Sequence, residues 1–290
     1  MRRLPFLLMA ASLFLACDAS GEGGGKKGKG SPPALDHGVA VPKAGVAEPS
    51  GITFDAALGH LFVVGDEGTL AELDGQGAFL RSTPVRGNLE DVAAHPPSGN
   101  LVLLDEAGER LIVWDPRARR EAARFRLDPE GLVGKRVGSR NGFEGLCFRA
   151  EAGKPGGGIF YLAHQSGPAM VVALAFDPSG PGRTIGAESV LGRWGLPGQR
   201  DLNAVAWVPS LRRLLVLSDS EDALLVVDEE GAVEASLHVP GLQQEGVCLD
   251  PAGDLWIADD RGGSVKRYPG ALRSIAAALE RGGKKKGKKG

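Results

Sequence analysis

Between residues 49 and 268 the chain alternates apolar and polar positions in short runs, and the runs recur. Ser50-Gly51-Ile52-Thr53-Phe54 aligns with Glu90-Asp91-Val92-Ala93-Ala94, Glu144-Gly145-Leu146-Cys147-Phe148, Asn203-Ala204-Val205-Ala206-Trp207 and Glu245-Gly246-Val247-Cys248-Leu249. Each begins with a polar or acidic residue, then a small or short one, then a period-two strand. Turn sequences follow: DAALGH, HPPSGN, RAEAGKPGGG, VPSLRR and DPAGD. A second strand comes next in every unit (LFVVGD, LVLLDE, IFYLAH, LLVLSD, LWIADD), and it is almost wholly apolar, as a strand sandwiched between two layers must be. Third strands are LAELD, LIVWD, VVALAFD, LLVVD and SVKRY, and most units add a fourth: AFLRSTPV, ARFRL and AVEASLHV.

Four strands per unit, with starts spaced 40, 54, 59 and 42 residues apart, predict an all-β fold: a five-bladed β-propeller of four-stranded antiparallel blades. The fifth unit, Gln244 to Tyr268, has only three strands. Its missing strand is expected from His37 to Val46, just upstream of the first unit, so that an N-terminal strand closes the ring and leaves no open edge. Residues 36–272 are thus assigned to the propeller. Residues 273–290 are assigned to a short helix (Ala271 to Leu279, packed outside) and a Lys/Gly-rich tail.

The ends of the chain change the picture. Arg2 and Arg3 precede a short apolar stretch, Leu4 to Leu15, far below the roughly 20 residues of a spanning helix. Phe14-Leu15-Ala16-Cys17 then reads as a lipoprotein cleavage site, so residues 1–17 are expected to be a lipoprotein signal peptide with Cys17 as the lipidated residue. The alternative is an ordinary secretory signal with a chance cysteine. Residues 18–35 (GEGGGKKGKGSPP and neighbours) form a Gly/Lys-rich tether that cannot bury a core. The expected location is the bacterial cell envelope, lipid-anchored at the periplasmic side of the inner membrane or at the outer membrane. Composition agrees with many short strands and tight turns: 44 glycines and 19 prolines in 290 residues, with 6% aromatics. A formal charge of −2 gives no global field toward nucleic acid, and the chain is expected to be monomeric. Cys147 and Cys248 sit on equivalent strands, where two thiols either pair or pack as small hydrophobes.

Candidate chemistry lies in the repeats. In a propeller the opening strand of each unit lines the channel, so Ser50, Glu90, Glu144, Asn203 and Glu245 should meet at one mouth. Converging carboxylates repel each other, and a hard cation taking oxygen ligands relieves that repulsion. Glu90, Glu144, Asn203 and Glu245 are therefore candidate ligands of calcium, with solvated carboxylates at the channel mouth as the alternative. A second oxygen series, Asp66, Asp105, His164, Asp219 and Asp259, ends the second strands. Its members are candidate ligand contacts, with turn capping as the competing role and, for His164, a place in a surface turn. Asp219-Ser220-Glu221-Asp222 lacks the glycine of an EF-hand loop. No G-x-S-x-G, H-E-x-x-H, P-loop or paired C-x-x-C motif is present.

Asn141-Gly142-Phe143-Glu144-Gly145-Leu146, with LEDVA at 89–93, LLVLSDSEDALLVVDEEG at 214–231 and QEGVCLDPAGDLWIADD at 244–260, resembles the SdiA-regulated (YjiK-like) family of bacterial envelope proteins, distantly similar to NHL-type propellers. Asn141 heads its most specific stretch and joins the candidate ligand contacts. The resemblance implies a five-bladed propeller with bound calcium, and by matching position it carries the glutamates of LEDV, FEGL and QEGV over as Glu90, Glu144 and Glu245. It departs at Asn203-Ala204, where relatives tend to have Ser-Gly, and at Ala163-His164-Gln165. The functional expectation is a calcium-binding, non-catalytic binding or scaffold module for a protein, peptide or glycan. A calcium-dependent hydrolase of phytase-like or lactonase-like type is the alternative, with Arg140 and Arg200 ahead of inner strands three and four as candidate basic groups.

Overall fold

The computed structural model describes residues 33–35, 38–41, 43–138, 142–241 and 243–286. The expected signal peptide with Cys17, most of the expected tether, Arg140 and Asn141 lie outside the described residues.

Five antiparallel sheets stand in sequence order. Blade one is β2 (Pro49–Asp55), β3 (His60–Gly65), β4 (Thr69–Asp74) and β5 (Phe79–Pro84). Blade two is β6 (Leu89–His95), β7 (Asn100–Asp105), β8 (Arg110–Asp115) and β9 (Arg120–Leu127). Blade three is β10 (Phe143–Ala150), β11 (Gly158–His164), β12 (Met170–Leu174) and β14 (Val190–Gly195). Blade four is β15 (Ala204–Val208), β16 (Arg213–Ser218), β17 (Ala223–Val227) and β18 (Val233–His238). Blade five is β19 (Gln244–Leu249), β20 (Leu255–Asp259) and β21 (Ser264–Tyr268). A three-residue strand, β1 (Val39–Val41), lies antiparallel along the outer edge of β21, with Ala40 opposite Lys266.

The inner strands β2, β6, β10, β15 and β19 each pack against the next, and β19 packs against β2, so the ring is closed at its hub. The continuous apolar runs explain the layering. Leu101, Val102, Leu103 and Leu104 of β7 are all fully buried, alternate residues facing the blades on either side. Each interface between blades is its own apolar cluster; the one between blades two and three gathers Phe125, Phe160 and Phe176.

Three elements were not anticipated. The fourth strand of blade three, β14, follows a long excursion from β12. Within that excursion, β13 (Thr184–Ile185) crosses back to blade two and pairs in parallel with β9, Thr184 beside Arg126. A five-residue helix, α1 (Pro129–Val133), follows blade two; Asp128 caps it by accepting the Gly131 N–H at 3.1 Å. The C-terminal helix α2 (Ala271–Lys286) runs past the expected Leu279 into the lysine run, because Ala, Leu, Glu and Lys all favour helix. It buries Ala271, Ile275 and Ala278 against β18 and its neighbours. Cys147 and Cys248 are both free and buried, in different clusters.

Candidate metal centre and ligand cleft

The opening strands share one irregularity. Register breaks between Pro49 and Gly51, Leu89 and Asp91, Phe143 and Gly145, and Gln244 and Gly246. The extra residue in each bulge is Ser50, Glu90, Glu144 or Glu245. A bulge re-aims the residue it expels from the ladder, which is how three chain-distant glutamates come to influence one another. In blade four Asn203 holds this position ahead of β15, its N–H donated to the Leu217 carbonyl at 2.9 Å.

Immediately after each bulge the inner strands approach too closely for a side chain. A Cβ on Gly246 would lie 2.8 Å from Gly51 Cα, and one on Gly145 would lie 2.9 Å from Ala204 Cα. Blade two alone breaks the small-residue rule, placing Asp91 there, 1% exposed. Its carboxylate accepts the N–H groups of Val92 at 2.8 Å and Leu146 at 2.6 Å, and a further one from Ile52. One carboxyl thus ties together the inner strands of blades one, two and three. Burial nevertheless pushes its pKa well up, against the pull of those bonds.

Glu90, Glu144 and Glu245 are half-buried above this hub. Burial, then the charge of Glu106, raises Glu90 to about 7. Burial, then Glu90 and Glu106, raises Glu144 to about 9. Burial, then Asp260 and Glu90, raises Glu245 to about 8. Glu90 and Glu144 hydrogen-bond to each other, which holds the Glu144 pKa up and draws the Glu90 pKa down.

These groups fit a hard cation in donor type. Their geometry fits in part: Glu90 and Glu144 touch, but among the described residues the trio of carboxylates whose oxygens all lie within 4.8 Å of one another is a different one, Glu48, Asp66 and Glu67 on the blade-one rim. Asp66 also raises Glu48 by hydrogen bond and charge. Asn203 is partly engaged, its Oδ1 accepting the Asp219 N–H at 3.1 Å. Glu90 and Glu144 would hold the ion, with Glu245 adding charge.

The second oxygen series divides. Asp66 is on the acidic rim. Asp219 accepts the Gln244 N–H at 3.2 Å, and burial raises its pKa. Asp105 and Asp259, each 1% exposed, are turn staples. They accept the N–H groups of Gly108 at 3.1 Å and Gly262 at 3.0 Å and pair with Arg110 and Lys266. Asp66 and Asp219 add charge to the axial glutamates, and so do Glu106 and Asp260, the chain neighbours of the turn staples, which sequence reasoning missed; the acidic doublets Asp105-Glu106 and Asp259-Asp260 were the available signal. His164 is neither a surface turn residue nor exposed: it is fully buried, Nδ1 is 2.7 Å from the Pro168 carbonyl and its ring lies edge-on to Phe143. Arg200, expected near the site, is an exposed residue bound to Glu221 and the Ser220 carbonyl.

Beside Glu106 opens a cleft of about 850 Å³. Leu104, Leu127, Val137 and Phe143 give it apolar surface, Glu106, Glu109, Asp128 and Glu130 give it negative charge, and Arg126 adds one guanidinium at its border with the blade-two edge. Its size suits a small molecule or short peptide.

Fold and hub together define a five-bladed β-propeller with a carboxylate-lined channel mouth. A family model described as SdiA-regulated matches residues 36–260, and the chain belongs to that family. No curated protein matches the chain. Among solved structures, Myxococcus xanthus glutaminyl cyclase is similar at 16% identity and TM-score 0.57, covering 82% of this chain and 97% of its own. A streptogramin B lyase structure is similar at 12% identity and TM-score 0.44, over 80% of this chain and 72% of that one. A protein of unknown function from Bacteroides caccae follows at 14% identity and TM-score 0.43, over 68% and 64%. At these identities the likeness is one of fold.

Proposed function

We propose that this protein is an envelope-tethered, calcium-binding propeller that works as a non-catalytic binding module. It is held by lipid on Cys17 at the periplasmic side of the inner membrane or at the outer membrane. It is a monomer that presents its acidic mouth and the adjoining cleft to a protein, peptide or glycan. One observation carries the calcium reading: Glu90 and Glu144, from two different bulges, are brought within hydrogen-bonding reach, with the like charges of Glu106 and Glu245 close by. A bound divalent cation supplies the positive charge that otherwise has to come from protons.

The test is metal analysis of purified protein, then thermal melts with calcium and with chelator. Calcium should raise the melting temperature of the wild type and leave Glu144→Gln nearly unmoved. Identical melts for the two proteins, with and without calcium, would end the reading.

A second reading rests on the same carboxyls. Groups titrating at about 7 to 9 suit proton transfer near neutral pH, as a calcium-dependent hydrolase of phytase-like or lactonase-like type requires. The fold neighbour with 97% of its chain covered is a glutaminyl cyclase. A screen of phosphomonoesters, lactones, aryl esters and N-terminal glutaminyl peptides separates the readings. Turnover lost in Glu144→Gln favours the enzyme; no turnover with calcium binding intact favours the binding module.

A further inference from the structure

The acidic mouth leaves the opposite charge unexplained. Residues 117–126 hold five arginines, Arg117, Arg119, Arg120, Arg124 and Arg126, and β9 carries the last three along the outer edge of blade two. Across β8 and β9, Arg110 stands directly opposite Arg126. Arg124 is two residues along the same strand and so on the same face. Like charges directly opposite on adjacent strands are destabilising, so this arrangement opposes folding locally.

The blade-three excursion then adds a fourth guanidinium. The Arg183 carbonyl accepts the Arg126 N–H at 3.0 Å, which seats β13 against β9. Gly182 passes so close that a Cβ there would lie 2.2 Å from the Arg124 carbonyl oxygen. The result is a cleft of about 420 Å³ lined by Arg110, Arg124, Arg126, Arg183, Thr184 and the bare backbone of Gly108 and Gly182.

Internal neutralisation is incomplete. Asp105 holds Arg110 through Nε, leaving both of its amino groups for other partners. Glu121 holds Arg124. Glu188 approaches Arg183 only to 3.8 Å, between two exposed side chains. Arg126 is exposed and makes no ion pair with a described residue. Charge on an edge strand also discourages strand addition, but at Arg126 and Leu127 that edge is already covered by β13, so protection does not require arginine there.

We infer that this cleft is a binding site for a phosphate group. Guanidinium forks match tetrahedral oxyanions and cannot shed their charge by deprotonation. A multiply charged anion can therefore engage Arg126, the open amino groups of Arg110 and the weakly paired Arg183 together. The inference is independent of the calcium site.

The experiment titrates the full chain at low ionic strength with inorganic phosphate and pyrophosphate, by calorimetry and thermal shift, and sediments it with phosphatidylglycerol or phosphatidylcholine vesicles. Arg126→Gln should weaken phosphate binding about tenfold, and the Arg124→Gln/Arg126→Gln pair by more. Calcium-dependent melting should be unchanged in both. Arg81→Gln, an exposed blade-one arginine paired with Glu72, is the control and should bind as the wild type does. Sedimentation with phosphatidylglycerol alone, lost in the paired variant, supports the site with a lipid phosphate as its source. No saturable binding to either probe, or an equal loss in Arg81→Gln, overturns the inference.

Discussion

The channel mouth and the outer edge of blade two use the same device with opposite sign. In each, strand register places like charges in one small space: Glu90, Glu144 and Glu245 by bulges, Arg110 and Arg126 by direct cross-strand opposition with Arg124 two residues along the same strand. The difference lies in how each can relax. Carboxyls in a half-buried ring can take up protons, and burial with mutual charge raises Glu90, Glu144 and Glu245 to about 7, 9 and 8. Guanidiniums have no such route at any physiological pH. The hub therefore relaxes with pH, whereas the edge has no titration open to it.

The largest expected effect tests the floor of the hub. Asp91→Ala strips acceptors from the Ile52, Val92 and Leu146 N–H groups and should cost on the order of 3 kcal/mol or more in urea denaturation, since each orphaned buried donor costs about 1–3 kcal/mol. Asp91→Asn keeps an acceptor and should cost less. Equal stability of Asp91→Ala and wild type would mean that the axial carboxylate ties nothing together.

A middle effect follows from titration. The three glutamates have folded pKa values raised above an unfolded value near 4.5, so the folded state binds more protons than the unfolded state between them. Their contribution to stability is then fully present below pH 4.5 and is lost as pH rises through about 7, 8 and 9. Denaturation in chelator at pH 5, 7 and 9 should show this decline, and Glu144→Gln should flatten it. A metal-free protein whose stability rises over this range would contradict the assigned cause.

The smallest effect belongs to the edge. Without phosphate, Arg126→Gln relieves repulsion and should raise stability by a few tenths of a kcal/mol at low salt, with the gain fading as salt screens it. A loss of stability there would show that the arginines are held by internal partners, and the contrast with the hub would fail.

Much of this was readable along the chain. The repeated polar-small-apolar start, the wholly apolar second strands and the turn sequences place five blades, because a four-stranded sheet buried on both faces leaves a periodic record in sequence. The positions of Glu90, Glu144 and Glu245 were legible for the same reason. The roles within the acidic doublets were not. Asp105 and Glu106 are chemically alike, and only the hairpin turn decides that the first accepts the Gly108 N–H and pairs with Arg110 while the second charges the mouth. His164 was misplaced because burial depends on neighbours such as Phe143, not on its own turn-like context.

Sequence alone determined the number of blades, the order of their strands and which residue types would line the axis, since these follow from local periodicity and repetition. Tertiary structure decided the bulges that aim the glutamates, the solitary Asp91 among glycines and alanine, and the return of β13 that brings Arg183 to β9. Each of those depends on two segments tens of residues apart meeting at contact distance, and no local pattern of hydrophobicity encodes such a meeting.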